Sequence, residues 1–398
     1  MDTSIFAFAT DLADEGVDAV LDNVQSRAGL GGITVAAAYH EGRDIFPHNP
    51  RHKVRFLESG AVFFPPDPEH WRDVRLRPPV SEVAGVFPAL VAAAGSRGVS
   101  VHAWTVFLHN GALAAEHPDC APENAFGDRY VTDLCPAHPD VRAFAVALAA
   151  DVGGLGVASI SAESLHFHAL EHGYAHERYF VPLGPVARYL LGLCFCSHCL
   201  DAAAALGVDG EAVRRFARVE LERVFEGAGG EPAEELHRTL VGAFAGGELV
   251  GYLEAREETV ASLTADVAAA ARAGGATFEF IDLAGAVKGY ATGRPEGAPA
   301  PSISWQLGVD VAAVAGACDG ISAIGYATDP GRVDADLAAY GDAVASVILR
   351  PMPPDCDAAD NLRAKVALVQ GRGLRRVDFY HYGFMRLDAL DLIRAAVT

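Results

Sequence analysis

Short β-rich apolar runs alternate along the chain with longer stretches whose apolar residues recur at helical spacing. The runs fall at residues 5–10, 33–39, 99–107, 157–163, 277–283, 320–327, 344–352 and 377–384. Helical patterns separate them, for example at residues 16–28, 80–96, 139–152 and 334–343. Glycine stands just ahead of most strands (Gly31-Gly32, Gly98, Gly156, Gly274-Gly275, Gly320, Gly373), where a preceding helix would end. Eight strand–helix units predict the α/β class and a closed (β/α)8 TIM barrel, with residues 1–398 as one domain. A doubly wound open sheet is the alternative, but no Gly-x-Gly-x-x-Gly follows the first strand.

Three connections are long, and each follows a strand, so the pattern places them on the catalytic face of the barrel. Residues 40–79, after strand 2, carry Phe46, Phe56, Phe63, Phe64, Trp71 and several prolines. The loop after strand 3 runs from His109-Asn110 to Cys135, and residues 166–273 form a largely helical insertion after strand 4. Loops of this size also suit an interface in a homo-oligomer.

A formal charge of -21 argues against nucleic acid or an anionic membrane surface as partner, leaving a small-molecule or oligosaccharide substrate. Met1-Asp2-Thr3-Ser4 leads directly into Ile5-Phe6-Ala7-Phe8-Ala9, which reads as a strand and not as a secretory leader. No apolar stretch is long enough to span a bilayer, so the expectation is a cytoplasmic protein. Seven cysteines, three of them within Cys194-Phe195-Cys196-Ser197-His198-Cys199, suit a reducing compartment and a metal. A fourth thiolate from Cys135 or Cys120 would complete a tetrahedral, structural zinc site.

The stretch Gly127-Asp128-Arg129, then Leu134-Cys135-Pro136-Ala137-His138-Pro139-Asp140-Val141-Arg142, resembles a segment of the family 42 β-galactosidases. In both, a Cys-Pro precedes a Pro-x-x-Arg helix start, followed by a strand-4 glutamate and a Cys-x-Cys-x-x-Cys cluster. The resemblance covers residues 127–204 and implies Cys135, Cys194, Cys196 and Cys199 as zinc ligands. It also implies a glycoside-hydrolase-like barrel with Glu163 as acid/base. The family has Asn before that glutamate and a nucleophilic Glu at the end of strand 7; this chain has Ala162 and, on strand 7, Val347-Ile348-Leu349-Arg350-Pro351-Met352, with no carboxylate until Asp355.

Read from the residues themselves, Val157, Ser159, Ser161 and Glu163 share one face of strand 4, and the small residues lead to a terminal carboxylate. Glycoside hydrolysis needs a second carboxyl group, for which Asp282 at the end of strand 5 is the first choice. Glu279, deeper in that strand, fits a buried hydrogen-bond network; Asp11 and Asp329 are weaker candidates. Tyr39, His40, Trp104, His109, Asn110, Tyr326, Arg350, His381 and Tyr382 stand at other strand ends and offer sugar-stacking faces and hydroxyl partners. His166 and His168, followed by Glu171, His172, His176 and Glu177, could bind substrate or a catalytic metal. The alternatives to a glycosidase are therefore a metal-dependent sugar isomerase, epimerase or lyase, and a non-catalytic sugar-binding barrel.

Overall fold

The computed structural model describes residues 1–170, 177–227, 236 and 244–398. Eight parallel strands form the barrel: β1 (Asp2–Ala7), β2 (Gly32–Tyr39), β3 (Ser100–Val106) and β4 (Ser159–Glu163), then β5 (Thr277–Asp282), β6 (Ile321–Ile324), β7 (Val344–Leu349) and β8 (Arg376–Phe379). Each pairs with its neighbours in sequence, and β1 pairs with both β2 and β8, which closes the ring. All eight predicted strands are present, but several end earlier than the pattern suggests. The first stops at Ala7 because the Asp11 carboxylate accepts the Phe8 N–H at 2.9 Å and starts helix α1 (Ala9–Glu15). The eighth stops at Phe379, and Tyr382–Phe384 is a single 3₁₀ turn.

The lumen floor is polar. Arg376 donates to Glu279 at 2.7 Å and to Asp378 at 2.8 Å, and Ser346 donates to Glu279 at 2.8 Å. Thr34 reaches Asp378 at 3.2 Å, and His102 contacts Ser159 at 2.7 Å. Each buried charge thus has partners, the condition on which an ion network is tolerated in a core. Glu279 belongs to this network, as its depth in the strand implies.

Outside the ring, Pro139–Gly153 packs along the 26-residue helix Glu248–Ala273. Arg142 and Asp266 bridge the two at 2.6 Å. A Cβ on Gly153 would lie 2.7 Å from the Ala271 carbonyl, so glycine permits this approach. Helices Pro185–Leu191, Ser197–Ala205 and Gly210–Phe225 stand in the connection after β4. The connection after β2 folds as an antiparallel hairpin, Gly42–Ile45 against Val54–Leu57, and Ala61–Val62 returns to pair antiparallel with β2. No helix among the described residues is long and apolar enough to cross a membrane.

Candidate active site

Alternation along the strands sets which side chains enter the barrel mouth. On β4, Ser159 and Ser161 reach toward Arg376 in the lumen, so Glu163 crowns the same face. On β3 that face carries His102 and Trp104, and the Trp104 indole N–H donates to Glu163 Oε2 at 2.6 Å. Arg376 and Asp378 continue to Tyr380, just beyond β8, whose ring lies 5.8 Å from both Phe6 and Trp104. Tyr39 packs edge-on to Trp104 at 4.6 Å. Tyr326 lies 6.1 Å from Tyr380 and 6.2 Å from Tyr290. Burial pushes the Glu163 carboxyl above its ordinary range, against the pull of the Trp104 bond and the His109 charge. Tyr39, Tyr290, Tyr326 and Tyr380 all lie within the electrostatic reach of Glu163. The result is a carboxyl group ringed by aromatics at the carboxyl ends of the strands.

Arg350 enters this ring as a support. Its guanidinium grips Asp355 through two bonds, 2.5 and 2.9 Å, and lies over Tyr326 at 4.0 Å and Tyr290 at 5.2 Å. His40 stacks on Tyr39 at 4.2 Å and meets the His109 ring at 4.5 Å. His109 Nδ1 lies 3.2 Å from Asp133 Oδ1, and His168 Nδ1 contacts that same oxygen. Asp133 arrives through a single antiparallel bridge to His109.

The structure does not bring Asp282 into the mouth. It follows Phe278 and Phe280 on the outward face of β5, opposite in register to Glu279. Ser304 and Tyr340 donate to its Oδ2 at 2.6 and 2.8 Å, and the Ala284 N–H donates to Oδ1 at 3.0 Å. It ties the helical layer to the strand. Four other expected substrate contacts are also structural. The Asn110 side chain accepts the Leu113 N–H at 3.0 Å and caps a helix. Tyr382 is fully buried, its hydroxyl bonded to Glu15 at 2.7 Å and to Asn23 at 2.9 Å. His381 is buried against Phe8 and Phe384 and accepts the Gly383 N–H at 3.1 Å. His166 is buried with Nδ1 2.8 Å from the Phe167 carbonyl, and burial lowers its pKa to about 3. Asp11 and Asp329 cap helices. His172 and His176 lie outside the described residues.

Sequence reasoning missed Asp133, Asp44, Tyr290 and Tyr380. The inward series Arg376, Asp378 points to Tyr380 once β8 is known to be regular only to Phe379. Asp44, on the hairpin after β2, is half-buried, and burial raises its pKa. Tyr39 and Tyr290 feel the charges of both Asp44 and Glu163. No spacing rule ties Asp133, Asp44 or Tyr290 to Glu163.

Behind the mouth, the four cysteines converge. Cys135 Sγ lies 3.5, 3.6 and 3.8 Å from those of Cys199, Cys196 and Cys194, and all four are buried and reduced. Tetrahedral zinc with bonds near 2.3 Å separates its sulfurs by about 3.8 Å, so the cluster fits that ion. Cys120 is not part of it; its sulfur lies 3.8 Å from His138 Nε2. A cavity of roughly 710 Å³ opens beside the insertion, bordered by His168, Leu183, Arg188, Tyr189, Lys288 and Gln306.

No family model matches the sequence, and no curated protein matches it. Solved structures share its architecture. An α-L-fucosidase isoenzyme 2 from Paenibacillus thiaminolyticus superposes at TM-score 0.54 and 13% identity, over 100% of this chain and 49% of that one. A β-galactosidase from the psychrophilic Marinomonas ef1 gives 0.53 and 12%, over 100% and 58%. The catalytic domain of a β-amylase from Paenibacillus polymyxa gives 0.53 and 10%, over 98% and 94%. The fold is that of barrel glycosidases. The chain spans only about half the length of the fucosidase, and at these identities the likeness concerns the fold alone.

Proposed function

We propose that this barrel is a carbohydrate-active hydrolase that cleaves a glycosidic bond, with Glu163 protonating the departing oxygen. One observation carries the reading: a strand-4 carboxyl, raised by burial and fixed by Trp104, stands within a ring of aromatic side chains suited to stack on sugars. A raised pKa favours the protonated carboxyl that a general acid needs. With Asp282 facing outward, the second carboxylate in this reading is Asp44, across Tyr39 and Tyr290. In this reading Asp44 would serve as the base that activates the attacking water. In the same reading Cys135, Cys194, Cys196 and Cys199 hold a structural zinc that staples the loop after β3 to the insertion after β4.

The test is turnover of a panel of aryl glycosides by the wild type, Glu163→Gln and Asp44→Asn, with the product anomer followed by NMR. Both substitutions are expected to lower the rate by about 10²–10⁴-fold. The wild-type rate should fall as pH rises through the raised Glu163 pKa, because the acid must be protonated. Cleavage unaffected by Glu163→Gln would exclude Glu163 as the acid; turnover of no glycoside would leave a sugar-binding barrel as the better reading.

A further inference from the structure

Next to Glu163, three side chains from two loops converge on one point. His109 follows β3, Asp133 lies further along the same loop, and His168 follows β4. His109 Nδ1, Asp133 Oδ1 and His168 Nδ1 all lie within 4.8 Å of one another. The two imidazoles approach the same carboxylate oxygen, His109 at 3.2 Å, and their rings stand edge-to-face at 5.0 Å. Asp133 is 6% exposed and His109 8%, so these polar atoms are withdrawn from water. Asp133 Oδ1 and His168 Nδ1 are in direct contact.

The surroundings fix the histidine that matters most. His168 Nε2 lies 3.2 Å from Ser164 Oγ. If that nitrogen carries the proton, Nδ1 presents its lone pair to Asp133, the arrangement that orients a metal-bound imidazole. Ser164, directly after Glu163, adopts φ +56°, the left-handed region. Asp133 lies two residues before Cys135, so the cysteine cluster anchors the loop that delivers it.

We infer that His109, Asp133 and His168 form a second metal site, for a divalent transition ion of the zinc class. Two imidazoles and one carboxylate suit zinc, iron, cobalt or nickel and not the oxygen-preferring magnesium or calcium. Three protein ligands leave further positions for water or a substrate oxygen, as in catalytic and not structural zinc sites. Its place beside Glu163 deepens the glycosidase reading: the ion would hold a sugar hydroxyl or water at the mouth. The inference rests on that reading for the role of the ion and not for its binding.

Metal binding can therefore be measured without any substrate. Full-length protein is dialysed against a chelator, its residual metal is counted by mass spectrometry, and Co²⁺ is titrated in by calorimetry and visible absorption. Thiolate-bound cobalt gives intense charge-transfer bands, whereas an imidazole–carboxylate site gives only weak ligand-field bands. The expected result is one exchangeable Co²⁺ per wild-type chain with ligand-field bands alone. Its affinity should fall at least 10-fold in His168→Gln and in Asp133→Asn and be unchanged in Glu163→Gln. Wild-type protein that takes up no exchangeable cobalt, or whose cobalt shows only thiolate bands, overturns the inference. So does retention of wild-type affinity by both ligand variants. Loss of glycoside turnover in Glu163→Gln with cobalt binding intact would support the hydrolase reading separately, and cobalt binding without any turnover would separate the metal site from it.

Discussion

Two aspartates at strand ends show how far a residue's role depends on which face of the sheet it occupies. Asp282 ends β5 in the position a catalytic carboxylate would take, yet its oxygens are consumed by Ser304, Tyr340 and the Ala284 amide. Asp11 likewise follows β1 and is spent on the Phe8 N–H, but its other oxygen is buried without a donor among the described residues. Burial raises its pKa to about 7, with Glu15 and Asp14 adding to the shift and the Phe8 bond and His48 opposing it. The folded state therefore binds this proton more tightly than the unfolded chain, whose value is near 3.8. The associated stability is fully present below about pH 4 and is lost as pH rises to about 7, at up to about 1.4 kcal/mol per pH unit. Asp11→Asn keeps an acceptor for Phe8 and cannot titrate. The stability of the wild type relative to this variant, from urea midpoints, should decline between pH 4 and 7; a constant difference would refute the assignment.

At the scale of elements, the helices after the strands are held by close backbone approach as much as by side-chain interlocking. Helix Ala284–Gly289 lies so near β6 and its continuation that a Cβ on Gly285 would stand 2.1 Å from the Ile324 carbonyl, and one on Gly289 as near to that of Tyr326. Gly285→Ala should therefore push the helix off the sheet and cost about 1–3 kcal/mol, read as a lowered urea midpoint. An unchanged midpoint would mean the helix shifts freely. Because Tyr290 caps this helix and supports the aromatic ring, the proposed glycosidase function predicts that the variant also weakens sugar binding. The hydrophobic pattern located these helices without indicating this closeness. The glycines look the same in sequence whether they mark a turn or a contact.

For the whole molecule, the barrel is organised about a charged floor below an aromatic mouth. Arg376 is 4% exposed and holds both Glu279 and Asp378. Arg376→Met would leave buried Asp378 without its cation and Glu279 with only the Arg375 contact at 3.9 Å, at a cost of about 3–5 kcal/mol. Thermal and urea unfolding should show this loss, and adding Glu279→Gln should recover part of it by removing one poorly paired charge. A floor that tolerated Arg376→Met without loss would show that water, and not Arg376, solvates these carboxylates.

Eight apolar runs separated by helical patterns were enough to count the strands, and period-two alternation placed Glu163 above Ser159 and Ser161 on one face. The cysteine spacing marked a cluster, and the structure chose Cys135 over Cys120 by bringing its sulfur within 3.8 Å of the other three. Alternation could not say which face of β5 points inward, because a parallel strand in a barrel is buried on both sides and both faces are apolar. Glu279 and Asp282 lie on opposite faces, and only closure of the ring decided which of them enters the lumen. The same holds for Asp44, Asp133 and Tyr290. They come from separate loops, and their places around the barrel mouth depend on the path of the chain through space, which local patterns of polarity do not encode.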